Sequence, residues 1–387
     1  MISTTKLFLA VMRAFVTDSK IDEAVKPQFT PDVLEAMFEI AKTHDVLPIV
    51  SDTLYKNGLL PKGEEITQKF QKQQLAALQR YMNIENEQRK LYKLFSDSAI
   101  TFMPLKGSVI RQYYPQPYMR TSCDIDLLVR EEELDRAVEA VITKLGYQKR
   151  NTVSYHDVSL FSPTNVHFEL HFNLKEKREN LDKLLIKVWD YSMDTDKGQY
   201  YKLQTPEFFI FHHIAHMMNH FLRGGCGVRT FIDLYYIEKY MTYDATKVAA
   251  LMEQTGLTTF YQSVLQCVGA WFGDEAPTEV VDLIEDFILK GGVFGTRENR
   301  INIDQTRQGG KFQYYLSRVF LPYNTLKYKH PVLRKHKILL PLFWFIRIFS
   351  FLSPKKRARA QHDLQIQHAI SADAEKSTNK MLDLLEI

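Results

Sequence analysis

Two aspartates one residue apart, Asp124 and Asp126, run straight into the apolar segment Leu127-Leu128-Val129. In a strand, alternation sets both carboxylates on the same edge, about 7 Å apart along the backbone. Carboxylates that converge in a partly dry site repel by roughly 4 kcal/mol at about 4 Å and an effective dielectric near ~20. Such a pair is tolerable when a cation sits between its members. Asp-x-Asp at the start of a strand is therefore a candidate Mg2+ site, and Mg2+ with few protein ligands usually also holds phosphate oxygens. Taken alone, the pair also fits a solvated turn before a strand, where aspartate is common.

The flanking segments sharpen the first reading. Upstream, the strand-like run Ile100 to Leu105 reaches Lys106-Gly107-Ser108, followed by a helical pattern through Arg111 and Tyr114. Glycine lets a backbone approach a phosphate closely, and a helix N-terminus offers free N–H groups to anions. Downstream, Val166 to Phe172 alternates. His167, Glu169 and His171 share one face, and Phe168, Leu170 and Phe172 share the other. Glu169 is thus a third carboxylate, on a strand whose opposite face is built for a core. Arg120, four residues before Asp124, could meet a phosphate or substrate carboxylate, or form a structural salt bridge.

The segment Phe208 to His220 holds four histidines, with His212, His216 and His220 at steps of four and His213, His216 and His220 at steps of three and four. Either set makes a stripe on one helix. A zinc triad needs geometry that a single helix cannot supply. Two readings remain: a polar face lining the cleft opposite the carboxylates, or imidazoles packed and bonded to Asp233 or nearby backbone. The loop Arg223 to Gly227 turns the chain back so that Arg229 and Asp233 face this helix.

Leu105-Lys106-Gly107, Arg120-x3-Asp124-Ile-Asp126-Leu-Leu-Val and Phe168-Glu169-Leu-His171 resemble the bacterial uncharacterised nucleotidyltransferase family. So do Phe211-His-His213-Ile-Ala-His216-Met-Met-Asn-His220 and Gly227-Val-Arg229-Thr-Phe-Ile-Asp233-Leu, and the likeness runs from near His44-Asp-Val-Leu-Pro48 to Phe320-Leu-Pro322. The order of Gly-Ser, Asp-x-Asp and one later acidic residue is that of the DNA polymerase β-like nucleotidyltransferase superfamily. The resemblance implies an Mg2+-dependent enzyme that moves NMP from an NTP, ATP by default, to a hydroxyl or phosphate of an acceptor it does not name. Asp124, Asp126 and Glu169 would be shared ligands of two Mg2+ ions, with Mn2+ as the substitute. Glu169 would alternatively serve as general base. Gly107 and Ser108 would cradle the β- and γ-phosphates, Lys106 would neutralise them, and Arg120 would assist. His171, His213, His216, His220, Arg229 and Asp233 are candidates for the substrate cleft. Two rivals stand beside this: an Asp-x-Asp glycosyltransferase, and a non-catalytic member that binds a nucleotide or a partner.

These residues need elements to hold them. The first 97 residues carry helical spacing, with Thr30 as N-cap, Pro31 at the first helical position, and a long helix from about Glu65 to Ser96. From residue 98 to 197 the period switches to strand, turn and helix, with Glu131 to Leu145 helical and closed by Gly146, then strands near Val158 to Phe161 and Val166 to Phe172. Residues 198–370 return to helices, Arg297 to Lys311 is polar and mixed, and 371–387 is expected to be a flexible tail. The predicted class is α+β: a small mixed-sheet core flanked by N- and C-terminal helical regions.

Composition bounds the rest. Over 387 residues, 45% are hydrophobic and 25% charged, as in a globular chain with a core. A formal charge of +4 is too mild to indicate nucleic acid. Three cysteines without CxxC spacing argue against a disulfide framework and for a reducing cytoplasm. The N-terminus has no convincing signal-peptide core, and no stretch reaches the eighteen or so apolar residues of a membrane span. The apolar run from Ile338 to Leu352, followed by Lys355-Lys-Arg-Ala-Arg359, fits a membrane-surface helix. A buried C-terminal helix with a solvated basic tail is the favoured expectation for 338–359, because short apolar runs are more often core.

Overall fold

The computed structural model describes the chain except residues 1, 151–153, 324–325, 328–329, 331 and 351–352. Four helices open it: α1 (Thr4–Val16), α2 (Pro31–Thr43), α3 (Leu47–Lys56) and the 33-residue α4 (Glu65–Asp97). Thr30 caps α2 through its hydroxyl, which accepts from the Val33 N–H, and Pro31 opens the helix. Both follow from the need to satisfy orphan N–H groups at a helix start.

The sheet follows: β1 (Phe102–Pro104), the short helix α5 (Gly107–Ile110), β2 (Asp124–Val129), α6 (Leu134–Leu145), β3 (Gln148–Lys149), β4 (Asp157–Phe161) and β5 (His167–His171). The spatial order is β1-β2-β5-β4-β3, with β2 parallel to β5 and every other pairing antiparallel. Helix α6 belongs to the crossover that a parallel β2–β5 pair requires. Gly146 ends it in the left-handed conformation at φ 70°.

Both faces of the central strands are covered. Ile125, Leu127 and Val129 join Phe168 and Leu170 in a core closed by Ile84, Leu91 and Phe95 of α4 and by Ala137 and Val141 of α6. Burying a side chain such as Phe168, which is fully enclosed, contributes about 1.5–3 kcal/mol. On the other face Leu128, Met103 and Leu105 belong to a larger core shared with the helices on either side.

After α7 (Glu179–Leu185) comes a small ribbon of β6 (Ser192–Asp194) and β7 (Lys202–Gln204), then α8 (Pro206–Phe221), α9 (Arg229–Tyr240), α10 (Ala245–Thr255), α11 (Thr258–Phe272) and α12 (Glu279–Gly291). The fold is α+β, a mixed five-stranded sheet flanked by helices.

Three expectations need correction. The mixed polar stretch is helix α13 (Arg297–Arg307), because Thr296 caps it and Ile301 and Ile303 find burial. The expected flexible tail at 371–387 is the helix Ala372–Leu385, capped by Ser371, with Met381, Leu382 and Leu385 seated in the main core. The apolar C-terminal run is not buried: it forms the helix Leu340–Ser350, whose Leu342, Phe345, Ile346 and Phe349 face solvent. Residues 351–352 of that segment lie outside the described residues.

Candidate active site

The β2–β5 register decides the site. Asp124 stands opposite His167, Asp126 opposite Glu169 and Leu128 opposite His171. Parallel strands keep alternating side chains in phase, so the two polar rows share one face of the sheet. Asp124 and Asp126 are joined there by Glu169, which is distant in sequence. Two sets of donor atoms each lie within 4.8 Å of one another: Asp124, His167 and Glu169, and Asp126, Glu169 and His171. Glu169 belongs to both.

The charges are strongly coupled. His171 Nε2 lies 2.8 Å from Asp126 Oδ1, and Lys106 Nζ 3.5 Å from the same oxygen. Burial alone would raise the Asp126 carboxyl, but Lys106 and His171 outweigh it and hold Asp126 well below the usual carboxylate range. Burial and the charge of Asp126 push Asp124 up to about 6. Burial opposes protonation of His171, yet its bonds to Asp126 and Glu169 lift it to about 9. Lys106 is likewise raised: desolvation is offset by Asp126, Asp124 and Glu169.

The donor set fits a divalent cation. Three carboxylates suit Mg2+ or Mn2+, while imidazole from His167 or His171 favours the softer ion. Nδ1 of His171 is buried without a partner among the described residues, and the ring packs 5.4 Å from His156. Lys106 and the protonated His171 supply the positive charge that a metal would otherwise bring to Asp126.

Lys106 reaches Asp126 through an uncommon backbone, φ 44° and ψ −113°. A non-glycine residue there costs about 1–3 kcal/mol and persists where its surroundings over-determine it. The Leu105 N–H donates to the Asp126 carbonyl at 3.1 Å, tying the turn to β2. Gly107 also meets a steric need. A Cβ on it would lie 2.3 Å from Nη1 of Arg120, so the glycine makes room for that guanidinium. Ser108 turns its hydroxyl toward Gln88 of α4, 3.0 Å away.

Arg120 itself is committed to Asp233. Its Nε and Nη2 donate to the two carboxylate oxygens at 2.8 and 2.7 Å, and the Tyr114 hydroxyl adds a third bond at 2.7 Å. The pair is buried, with 8% and 1% of the side chains exposed. Arg229 donates to Asp45 and to the Thr121 carbonyl, both at 2.7 Å. Arg229 and Asp233 therefore fasten α9 to the segment that leads into β2.

The histidines of α8 divide among separate partners. His212 bonds to Gln204 at 3.1 Å, and His213 to the Thr230 carbonyl at 3.1 Å. His216 Nδ1 meets Glu176 Oε1 at 2.8 Å, and His220 packs edge-on against His216, with ring centroids 4.4 Å apart. Neither donor set draws on α8. Burial, then the charge of Lys106, lowers His216 well below the usual imidazole value, and burial and the same lysine bring His220 to about 4. The α8 face at His216 and His220 therefore lies within the field of Lys106, the cation that pairs with Asp126.

Glu176 is the residue that sequence reasoning misses. It accepts from His216 and from Asn219, and burial raises it to about 7 although Lys106 and Arg223 pull the other way. Written as Lys175-Glu176-Lys177, it resembles solvated charge. Its one signal is position, five residues past His171 on the strand that carries Glu169.

A cavity of about 780 Å3 lies elsewhere, lined by Tyr113, Tyr114, Tyr236, Tyr240 and Lys239, with none of the three carboxylates in its wall.

A family model described as uncharacterised nucleotidyltransferase matches residues 32–273, a span from α2 to the end of α11 that holds every residue of the cluster. No match was found among curated proteins or solved structures.

Proposed function

The chain belongs to the uncharacterised nucleotidyltransferase family, and from that membership we propose that it transfers NMP from an NTP, ATP by default, to a hydroxyl or phosphate of an acceptor, releasing pyrophosphate. The observation that carries this is the parallel register that sets Asp126 beside Glu169 and brings Asp124 into the same cluster.

Asp124, Asp126 and Glu169 would hold two Mg2+ ions, or Mn2+, with Glu169 common to both donor sets. Bound there, the cations supply Lewis acidity for the triphosphate and lower the pKa of the attacking hydroxyl. The chain's own residues do the rest. Lys106, within 3.5 Å of Asp126, carries a fixed positive charge to the place where phosphate charge gathers. His171 holds Asp126 in one orientation through a 2.8 Å bond. Glu176, fixed by His216 and Asn219, offers a carboxylate to the acceptor side. Arg120 and Asp233 keep the Gly107 turn against α9 and so set where Lys106 points. We place the chemistry in the 98–197 core, with acceptor binding shared with the helices of 198–370. The three free cysteines suit a reducing cytoplasm.

One observation favours a second reading, a member that binds nucleotide without transfer: Lys106 and His171 already neutralise Asp126. Labelled NTPs, incubated with the protein, Mg2+ and cell extract, separate the two. Transfer predicts label on an acceptor together with pyrophosphate. Tight ATP binding with no pyrophosphate would leave only the second reading, and turnover of UDP-sugars in place of NTPs would replace both with glycosyl transfer.

A further inference from the structure

Charge along this chain is unevenly distributed. From residue 305 to 362 there is no aspartate or glutamate, while thirteen lysines and arginines occur. The whole chain carries only +4, so the remainder is net negative. This basic segment lies outside the 32–273 family match.

Within it, apolar side chains point the wrong way for a core. Ile338, Leu342, Phe345, Ile346 and Phe349 recur at steps of three and four and make one face of the helix Leu340–Ser350 and its lead-in turn. Their exposures run from 49% for Ile346 to 88% for Ile338. The opposite face is the one that is anchored: Trp344 Nε1 donates to the Leu321 carbonyl at 2.9 Å and Arg347 Nε to the Arg318 carbonyl at 3.0 Å. Beside it, on α14 (Lys311–Val319) and just beyond it, Phe312, Leu316 and Phe320 are also exposed. Apolar residues scattered singly on a surface need no explanation, but a contiguous face does.

We propose that this face docks in the plane of an anionic lipid bilayer, with the exposed Ile, Leu and Phe side chains among the acyl chains and the surrounding lysines and arginines on the lipid headgroups. The helix is eleven residues long, and no helix among the described residues is long and apolar enough to cross a membrane. A short helix with an apolar face and basic flanks lies in the interface instead. Arg334, Lys335 and Lys337 precede it, and Lys355, Lys356, Arg357 and Arg359 follow it. Two other occupants fit less well. Nucleic acid would answer the basic residues but leave Ile338, Leu342 and Ile346 in water. A second copy of the chain would bring two basic segments of net positive charge together, and like charges so placed repel.

The test is flotation of the full-length protein with vesicles of phosphatidylcholine, with and without roughly 30 mol% phosphatidylserine. Binding is expected on the anionic vesicles, weakened at least ~tenfold on neutral ones and falling as salt is raised. The double variant Phe345→Ser, Phe349→Ser removes two exposed rings, so melting should not change, while anionic-vesicle binding should drop by about tenfold or more. Lys335→Glu with Lys337→Glu should reduce binding on anionic vesicles alone. Absence of anionic-vesicle binding would overturn the proposal. So would vesicle binding that the phenylalanine variant leaves intact, duplex DNA or RNA outcompeting the vesicles, or concentration-dependent dimers that the same variant abolishes.

Discussion

Asp126 on β2 stands directly beside Glu169 on the parallel strand β5, and His171, two residues on, bonds back to Asp126 at 2.8 Å. The two carboxylates come from points forty-three residues apart in the sequence. Their meeting is a matter of strand pairing, and the proposed chemistry depends on it.

Asp126→Asn should lower pyrophosphate release from ATP by at least about a hundredfold, since a ligand to the catalytic cation is worth several kcal/mol in the transition state. Melting should change little, because His171 can shed its proton when its partner loses charge. Glu169→Gln, measured in the same assay, should cut the rate more than it weakens ATP binding. Unchanged turnover in either variant would remove that residue from the metal set.

Gly107→Ala should act through Arg120. The new Cβ would sit 2.3 Å from Nη1, so the guanidinium must move and loosen its grip on Asp233. Breaking a buried ion pair by removing one partner costs about 3–5 kcal/mol, and Asp233→Asn should approach that figure. Gly107→Ala should fall short of it, because the pair is displaced and not abolished. Arg120→Lys should not restore stability, since lysine lacks the two-pronged geometry. Thermal or urea unfolding reads all three. A stable Asp233→Asn protein would mean that the pair serves something other than the fold.

His216→Ala should alter acceptor use and leave Mg2+-dependent ATP binding unchanged. His216 holds Glu176, and neither donor set includes it. The expected result is an acceptor KM raised by about tenfold, the effect of roughly 1.4 kcal/mol, with the KM for ATP unmoved. Metal bound at α8 in elemental analysis, and lost in the variant, would contradict this.

His44 should make the protein acid-sensitive. It is fully enclosed, accepts from the Val228 N–H at Nδ1 and pairs with the Leu289 carbonyl at Nε2, an arrangement that needs the neutral ring. Burial lowers its pKa from 6.5 to about 4, although the Leu289 carbonyl pulls upward. The unfolded chain therefore takes up a proton first as pH falls. Stability contributed by the neutral ring is intact above about pH 6.5 and is lost between about 6.5 and 4, by up to about 3 kcal/mol. Melting temperature against pH should decline over that interval, and His44→Gln should flatten the decline.

Much of this molecule is legible in the chain. The limits of β2, the cap at Thr30, the stop at Gly146 and the alternation of Val166 to Phe172 all rest on local rules about which side chain faces where. Those rules place Asp124 and Asp126 on one face, and Glu169 on one face of its own strand. They fail for the helix Leu340–Ser350, where apolar spacing identifies the element but not what covers it.

Tertiary structure alone chooses partners. Spacing cannot say that Arg120 turns to Asp233, that a side chain at Gly107 would collide with Arg120, or that Glu176, set between two lysines, lies half-buried against His216. Periodicity is a property of neighbouring residues and is written in one dimension. Which charge meets which across a hundred residues depends on how strands register and helices pack, and a buried charge takes the opposite charge or hydrogen-bond donor that packing brings within reach.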